Sequence, residues 1–539
     1  MKKILTTDNL KIKFLGITPV LEDKTGFLNP QEIVSLSGLA TFKGRSIKKL
    51  LKEIESKGET LEQEMKGILQ KSSLIGHASV ATTPTLCLSY EGSKFLDSAL
   101  TGIIFSSSLV SSGRRTGTSE EDIVFPKNIL ADEKAKKIYQ ETSEEIIKFF
   151  NFLLSKKTRK DEASKILQYG IYGTGIIQLP IESIISLKRE YLNEKEWMPE
   201  EIGILIKEIE NNVKKLGIDI LYTTREAAPR NVYHYPNIFK NPNNSNIVRE
   251  IIKKTQLING TKLVSVETFF TPGLKKKLAK LEKINKSTFS SLKAIKKNWF
   301  ELIALRREIL RDYNSALRIK VLSSVPWRIW GEKKRHRTCP QVIESIYYSI
   351  NRASNRFNKF KREIKAGRIN NKIIQEIEQV FSIPPSIKSN PGFLNQYLLV
   401  ALKSFETYQN LIKLKIRPRD AIFIIPRAVK IDILQEYDLY NLLIGYYPLR
   451  LCSTAEEEMR RNTLNEVKQI KKALTKIGHS WLNKFIAPKC ESIGFCPEVK
   501  SCFYIKNLVK NYNEKFHQEI KKDLKNKFQQ NLRSLTGKI

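Results

Sequence analysis

The stretch ALRIKV at 316–321, followed at 334–349 by KRHRTCPQVIESIYYS, decides how the rest of the chain reads. Leu317, Ile319 and Val321 alternate with other residues at the period of a half-buried strand. A helical segment with unusual polar chemistry follows within a few residues, carrying Arg335-His336-Arg337. Three consecutive cationic or polar side chains on a helix point in different directions. They suit wrapping a phosphate-bearing ligand better than lining one charged face. The alternative is a solvated basic run, because Lys333 and Lys334 stand directly before them.

The same order of signals occurs earlier. TLCLSY at 85–90 alternates Leu86, Leu88 and Tyr90, and SSSLVSSGRRTGTSEED at 106–122 follows it. Hydroxyls and guanidinium forks near glycine make an anion site, or else a surface loop. Late in each half comes another helix: IESIISLKRE at 181–190 and NLLIGYYPLRLCSTAEEEMRR at 441–461. This parallel order reads as an internal duplication with a period of roughly 230–250 residues, a length too great for a short-repeat solenoid.

Helical periodicity dominates elsewhere. Ile47, Leu50, Leu51 and Ile54 share a face, as do Leu61, Met65, Ile68 and Leu69 after Gly58. Further helical patterns cover 133–157, 196–216, 272–314, 389–414, 453–478 and 503–533. The class is α+β, helix-dominated. NVYHYPNIFKNPNNSN at 231–246 lacks a period and is rich in Asn and Pro, which marks a linker. The expected division is a first domain at 1–235, a linker at 236–270, a second domain at 271–502 and a basic helical tail at 503–539.

Composition narrows the function. The chain has 539 residues, of which 41% are hydrophobic and 28% charged, so it buries sizeable cores. Lys+Arg number 93 against 56 Asp+Glu, a net charge of +37, which favours an acidic partner such as a nucleotide, a polynucleotide or anionic lipid. No apolar stretch approaches the ~20 residues of a membrane helix. The start, MKKILTTDNLKIKF, has no apolar core and does not read as a secretory signal. Six cysteines exclude a disulfide scaffold, so a reducing cytoplasm is the expected location.

Two further motifs carry chemistry. Gly76-His77-Ala78-Ser79 stands where a helical pattern ends and a strand begins, able to present N–H groups and an imidazole to a ligand, or simply to form a turn. Leu449-Arg450 through Met459-Arg460 opens a helix, with Ser453 and Glu456 at capping-box spacing. Arg460, four residues after Glu456, also suits a plain ion pair.

Together these pieces resemble the flavin-dependent thymidylate synthases, through an order of motifs rather than one match. Gly76-His77-Ala78-Ser79 corresponds to a Gly-His-x-Ser element, and Arg335-His336-Arg337 to the head of the signature R-H-R-x-x-S-x-x-x-x-S-x-R. Pro418-Arg419-Asp420 follows as a Pro-Arg-acidic segment, and Leu449-Arg450 through Arg460 as the late helix start. The tail KCESIGFCPEVKSC at 489–502 is similar to a Cys-containing tail of some members. The chain departs from the pattern in both halves. Pro340 replaces the signature's first serine and Tyr347 its final arginine, although Ser345 is in register. In the first half Gly102-Ile103-Ile104 stands where Arg-His-Arg belongs, while Ser107, Ser112 and Arg114 keep the right offsets. The acidic residue of the signature is missing from both halves, at Val110 and Ile343.

The resemblance implies two tandem ThyX-like domains forming a pseudo-dimer, with a composite site because one half keeps the motif's head and the other its tail. It implies FAD bound by His77, Ser79, Arg335, His336 and Arg337. It implies dUMP bound by Ser107, Ser112, Arg114, Ser345, Arg450 and Arg460, with Arg114 and Arg450 acting on the reacting uracil. NADPH and methylenetetrahydrofolate are the implied co-substrates for methylating dUMP to dTMP. Self-association into a pseudo-tetramer from a homodimer is implied as well. The alternative is a catalytically decayed relative that binds nucleotides or nucleic acid.

Cys490, Cys496 and Cys502 form C-x5-C-x5-C. Three thiols are one short of a tetrahedral zinc site and the spacing is looser than C-x2–4-C; His479 or His517 would be needed to complete it. They read as reduced structural cysteines, with no metal. Residues 503–539 hold nine Lys/Arg against three Asp/Glu, interleaved with Phe503, Tyr504, Tyr512, Phe516 and Phe528. Such a helix can track phosphates and stack on bases, but an amphipathic helix with a solvated basic face is the stronger reading, so nucleic acid is not favoured.

Overall fold

The structure, a computed structural model, describes residues 4–23, 26–58, 60–111, 117–229 and 236–536. Ser112 and Arg114, and the linker residues 231–235, lie outside the described residues. The chain is α+β and helix-dominated, and its backbone divides into two compact units. The units are not the consecutive halves expected from sequence. Unit 1 comprises residues 1–246, 326–335 and 343–431; unit 2 comprises 247–325, 336–342 and 432–539. Residues 236–270, expected to be a linker, carry a helix at Ile247–Lys254 and a strand at Thr261–Thr268.

Unit 1 contains an antiparallel sheet of four strands: β1 (Lys11–Thr18), β2 (Thr85–Ser93), β3 (Ser107–Val110) and β4 (Tyr172–Pro180), in the order β1-β2-β4-β3. Leu86, Leu88 and Tyr90 on β2 are buried at the expected period of two. Leu86 pairs with Leu179 and Leu88 with Ile177 of β4. β2 runs directly into helix α1 (Lys94–Leu100), whose cap is Ser93: its hydroxyl accepts the Phe95 N–H at 3.2 Å. The buried Glu201 carboxyl accepts the Ser93 N–H at 2.8 Å and its hydroxyl as well. Burial pushes the Glu201 carboxyl up to about 7, against which the Ser93 hydrogen bonds pull only partly.

Helix α2 (Glu133–Ser155) is capped by Asp132 and buries Tyr139, Ile146, Ile147, Phe150 and Leu153 along one stripe. Helix α3 (Ile181–Asn193) leaves β4 without a break and places Glu182 against Arg225, both fully buried, with Arg225 Nη2 donating at 2.9 Å. The second-half segments of unit 1 supply α4 (Trp327–Lys333), α5 (Ile346–Lys359) and α6 (Pro391–Lys413). Phe95 of α1 stacks on Phe423 at 4.3 Å and meets Trp327 of α4 edge-on at 5.5 Å, so residues from both halves share one aromatic core.

Unit 2 holds a second four-stranded sheet, of β5 (Thr261–Thr268), β6 (Leu317–Pro326), β7 (Gln341–Ile343) and β8 (Lys430–Asp438), in the order β5-β6-β8-β7. Each sheet therefore places its strands, counted along the chain, in the order first, second, fourth, third. The helical pattern at 272–314 is two helices, Pro272–Thr288 and Leu292–Tyr313, because Ser291 caps a new start by accepting the Ala294 N–H. Helix α7 (Glu457–Lys476) has Glu456, not Ser453, at its N-cap, and no side chain caps it. The spacing suggested a capping box, but Ser453 lies before the helix in irregular backbone. The C-terminal residues form a helix at Phe503–Leu508 and α8 (Glu514–Thr536). Ile505, Val509, Tyr512, Phe516 and Ile520 are buried in one cluster with Phe289, Ile295, Phe495, Cys490 and Cys496. The region is part of the unit's core and not a free tail.

Candidate functional site

In unit 1, the junctions that follow β2, β3 and α4 surround a cavity of about 130 Å³. Its wall carries five basic residues, Lys94, Arg328, Lys334, Arg335 and Arg427, against Asp97 and Glu332. Lys94, Asp97 and Ser111 come from the first half of the sequence and the four other basic residues from the second. Lys94 Nζ donates to Asp97 at 3.0 Å and to the Ser111 carbonyl at 2.6 Å. Lys334 Nζ donates to the carbonyls of Asp97 at 3.1 Å and Ser98 at 2.5 Å, and lies 4.3 Å from the Trp330 ring. These contacts tie the end of α4 to α1.

Gly102 permits this approach. Its φ of 93° belongs to the left-handed region, and a Cβ there would stand 3.2 Å from the Lys334 carbonyl. The glycine occupies the place where the family signature would begin in the first half.

Electrostatics make the cavity anion-seeking. Burial pulls the Lys94 ammonium below its ordinary value, and nearby Arg427 and Arg335 add to this while Asp97 opposes it. Burial lowers Lys334 strongly, with Arg335 contributing. Arg427 is held down at about 10, mainly by burial; its guanidinium lies 5.0 Å from the Tyr169 ring and donates to the Gln168 carbonyl at 3.1 Å. Arg427 Nη2 is buried and has no hydrogen-bond partner among the described residues. An anion in the cavity relieves the mutual repulsion of these cations and supplies acceptors.

Of the described residues expected from sequence, Arg335 alone lines this cavity. Its side chain is exposed. His77 and Ser79 are also exposed and lie outside the cavity wall; Ser79 opens a single turn, its carbonyl accepting from the Thr82 and Thr83 hydroxyls at 3.0 Å. Ser107 begins β3 and faces solvent. Ser345 is buried at the start of α5 and donates to the Lys240 carbonyl at 2.5 Å. Tyr347, in place of the signature arginine, is buried, its hydroxyl bonded to the Trp197 carbonyl.

The rest of the expected set falls in unit 2. Arg450 Nε donates to His336 Nε2 at 2.9 Å, and the imidazole meets Tyr446 edge-on at 4.9 Å. Because Nε2 accepts, the neutral ring carries its proton on Nδ1. Arg337 is exposed. Arg460 pairs with Glu457 at 3.2 Å, one residue along from the Glu456 partner that the spacing suggested. It lines a second cavity of about 230 Å³ together with Cys452, Cys490, Cys496 and Cys502. His517 is not on that wall; it is buried between the Tyr512 hydroxyl at 3.1 Å and the Glu498 carbonyl at 2.9 Å. His479 meets the Phe270 and Trp481 rings edge-on. Among the described residues no three His, Cys, Asp or Glu side chains converge to hold a metal ion. No described helix is long and apolar enough to cross a membrane.

Sequence reasoning missed Lys94, Arg328 and Arg427. A signal was present: each is a cation beside an apolar run, in GSKFL, VPWRIW and IIPRAV, and a charge flanked that way is seldom buried without a purpose.

The family model described as "Thymidylate synthase complementing protein" matches residues 319–474. The flavin-dependent thymidylate synthase of Thermococcus onnurineus (strain NA1) is 28% identical over 127 residues, 23% of this chain and 50% of that protein. The flavin-dependent thymidylate synthase of Pyrococcus horikoshii is 32% identical over 125 residues, with the same shares. The chain thus spans about half the length of the curated relatives it matches. A crystal structure of thymidylate synthase X from Helicobacter pylori with FAD and dUMP aligns with 39% of this chain and 99% of its own, at 16% identity and a TM-score of 0.28. Residues 319–474 of this chain are thus similar to the family of the flavin-dependent thymidylate synthases, and the likeness to its curated members extends over about half their length.

Proposed function

We propose that the chain catalyses the reductive methylation of dUMP to dTMP, using FAD, NADPH and methylenetetrahydrofolate, at a site to which both halves of the sequence contribute. One observation carries this reading: the basic cavity of unit 1 is walled by Lys94 and Ser111 from the first half and by Arg328, Lys334, Arg335 and Arg427 from the second.

The lining fits part of a flavin dinucleotide. Five basic side chains, with Arg427 Nη2 lacking a partner among the described residues, suit a diphosphate, and about 130 Å³ accepts phosphates but not a whole dinucleotide. Arg335, being exposed, supplies the arginine fork at the mouth, while the buried Lys94 and Arg427 add fixed positive charge behind it. Bound FAD supplies the hydride chemistry that the reaction requires. The protein's own work is then positioning and electrostatics, which need no nucleophilic serine or cysteine.

The dUMP phosphate is assigned to Ser112 and Arg114. They follow Ser111 of the cavity wall by one and three residues, a reach of at most ~11 Å of extended chain. Arg450, which orients His336, is assigned to the nucleotide as well. Two chains associating would give the pseudo-tetramer that the resemblance implies.

A second reading has its own observation. Ser345 and Tyr347 spend their hydroxyls on backbone carbonyls inside the core, which suits a relative that has kept the fold and lost turnover. Nucleic-acid binding by the C-terminal region has less support, because Tyr512 and Phe516, two of its five aromatics, are core residues. The test is the flavin content of the purified chain, followed by dTMP formation from dUMP with NADPH and methylenetetrahydrofolate. Bound FAD with turnover is the expected result. Flavin and dUMP binding without dTMP supports the decayed relative, and absence of both binding activities overturns the proposal.

A further inference from the structure

The second cavity, in unit 2, is lined by four cysteines drawn from two separate stretches of chain. Cys452 follows the short helix Tyr447–Arg450, Cys490 lies on the helix Lys489–Ile493, Cys496 follows that helix, and Cys502 precedes Phe503–Leu508. All four are free thiols, and Cys452, Cys490 and Cys496 are buried. The C-x5-C-x5-C run alone is a thiol short. Folding brings in Cys452, from the start of the α7 region, as the fourth.

Cysteines that serve only as small hydrophobes are packed without voids, since protein interiors are close-packed. Here they border a space of about 230 Å³, several times the ~30 Å³ share of one water. The space is also wrong for one ion. A tetrahedral zinc with bonds near ~2.3 Å draws its sulfurs to within ~3.8 Å of one another. No such convergence exists among the described side chains. A cubane cluster keeps its four thiolates farther apart and fills the volume between them.

We propose that Cys452, Cys490, Cys496 and Cys502 ligate a [4Fe–4S] cluster. The surroundings match its needs. Arg460, Lys489 and Lys500 face the same cavity against Glu498, positive charge that compensates a thiolate-bound cluster. Ligation displaces the protons of all four thiols, and the cationic side chains on the same wall favour the resulting thiolates.

The experiment uses the full chain, produced with added iron and purified without oxygen, and measures iron and acid-labile sulfide per chain. Labile sulfide reports the cluster independently of any flavin absorbance. About four irons and four sulfides per chain are expected. Cys452→Ser and Cys496→Ser should each bring sulfide below about one per chain, while Cys87→Ser, outside the cavity, leaves it unchanged. Wild-type protein lacking labile sulfide overturns the proposal, whether it carries zinc or no metal, and this holds even if a variant fails to fold. Full sulfide content in Cys452→Ser removes Cys452 as a ligand and overturns the four-cysteine site.

Discussion

The two four-stranded sheets share one strand order, yet the turns that follow their second strands have diverged. After β2 and α1 the chain reaches Gly102, which has no side chain and accepts the Lys334 carbonyl at close range. After β6 and α4 it reaches Arg335, whose side chain is exposed at the basic cavity. Equivalent positions in the two patterns thus carry an exposed arginine in one case and a glycine in the other. The Lys334 carbonyl, from the second half of the sequence, occupies the space that a side chain at position 102 would need.

The contrast predicts that first-half polar residues away from the basic cavity, such as Glu182 and Glu201, are chiefly structural. The largest effect should come from Glu182→Ala on α3, which leaves Arg225 buried without its carboxylate. A loss of about 3–5 kcal/mol in a denaturant titration is expected. A loss below about 1 kcal/mol would mean that this pair is not holding the first-half scaffold.

Glu201 sharpens the same point through pH. Its folded-state value is raised to about 7 from an ordinary 4.5, so the folded chain holds a proton that the unfolded chain has released. Its contribution to stability is therefore full below about pH 4.5 and is lost as pH rises to about 7, by up to about 3 kcal/mol. Glu201→Gln should remove that part of the pH profile, leaving the difference between variant and wild type to grow from pH 5 to pH 7. Parallel profiles would show that Glu201 is ionised in the fold.

Arg335→Ala should behave in the opposite manner, leaving the thermal midpoint in place while weakening flavin about 10- to 150-fold, or about 1.5–3 kcal/mol. Equilibrium dialysis with FAD reads this directly. Lys333 is not a suitable control although it adjoins the motif, because it is fully buried. Exposed Lys372 serves instead, and Lys372→Ala should leave flavin affinity unchanged. The smallest effect is expected for Gly102→Ala, where a left-handed φ and a 3.2 Å approach to the Lys334 carbonyl cost about 1–2 kcal/mol. A neutral result in thermal unfolding would show that the close approach is not constrained.

Much of this was legible before the structure. β2 and β6 were readable from alternation at Leu86, Leu88, Tyr90 and at Leu317, Ile319, Val321, and the long helices from their periodicity. β4 and β8 were not, since TyrGlyThrGlyIleIle and LysIleAspIleLeuGln mix glycine or charge into apolar runs whose burial depends on strands far away in sequence. Arg335 was recognisable by its motif. Lys94 and Arg427 were not, because they come together only when the second-half segments 326–335 and 343–431 fold into the same unit as β2. Cys452 was hidden for the same reason, being 38 residues from Cys490 in sequence.

The central claim is that one ligand site draws on both halves, and a double-mutant cycle tests it most directly. The affinity for dUMP is measured at saturating FAD for wild type, Arg114→Ala, Arg335→Ala and the double variant. The account predicts that Arg114→Ala weakens dUMP and that the two substitutions are coupled by about 0.5–3 kcal/mol. Unchanged dUMP affinity in Arg114→Ala, or additivity within about 0.3 kcal/mol, would contradict it.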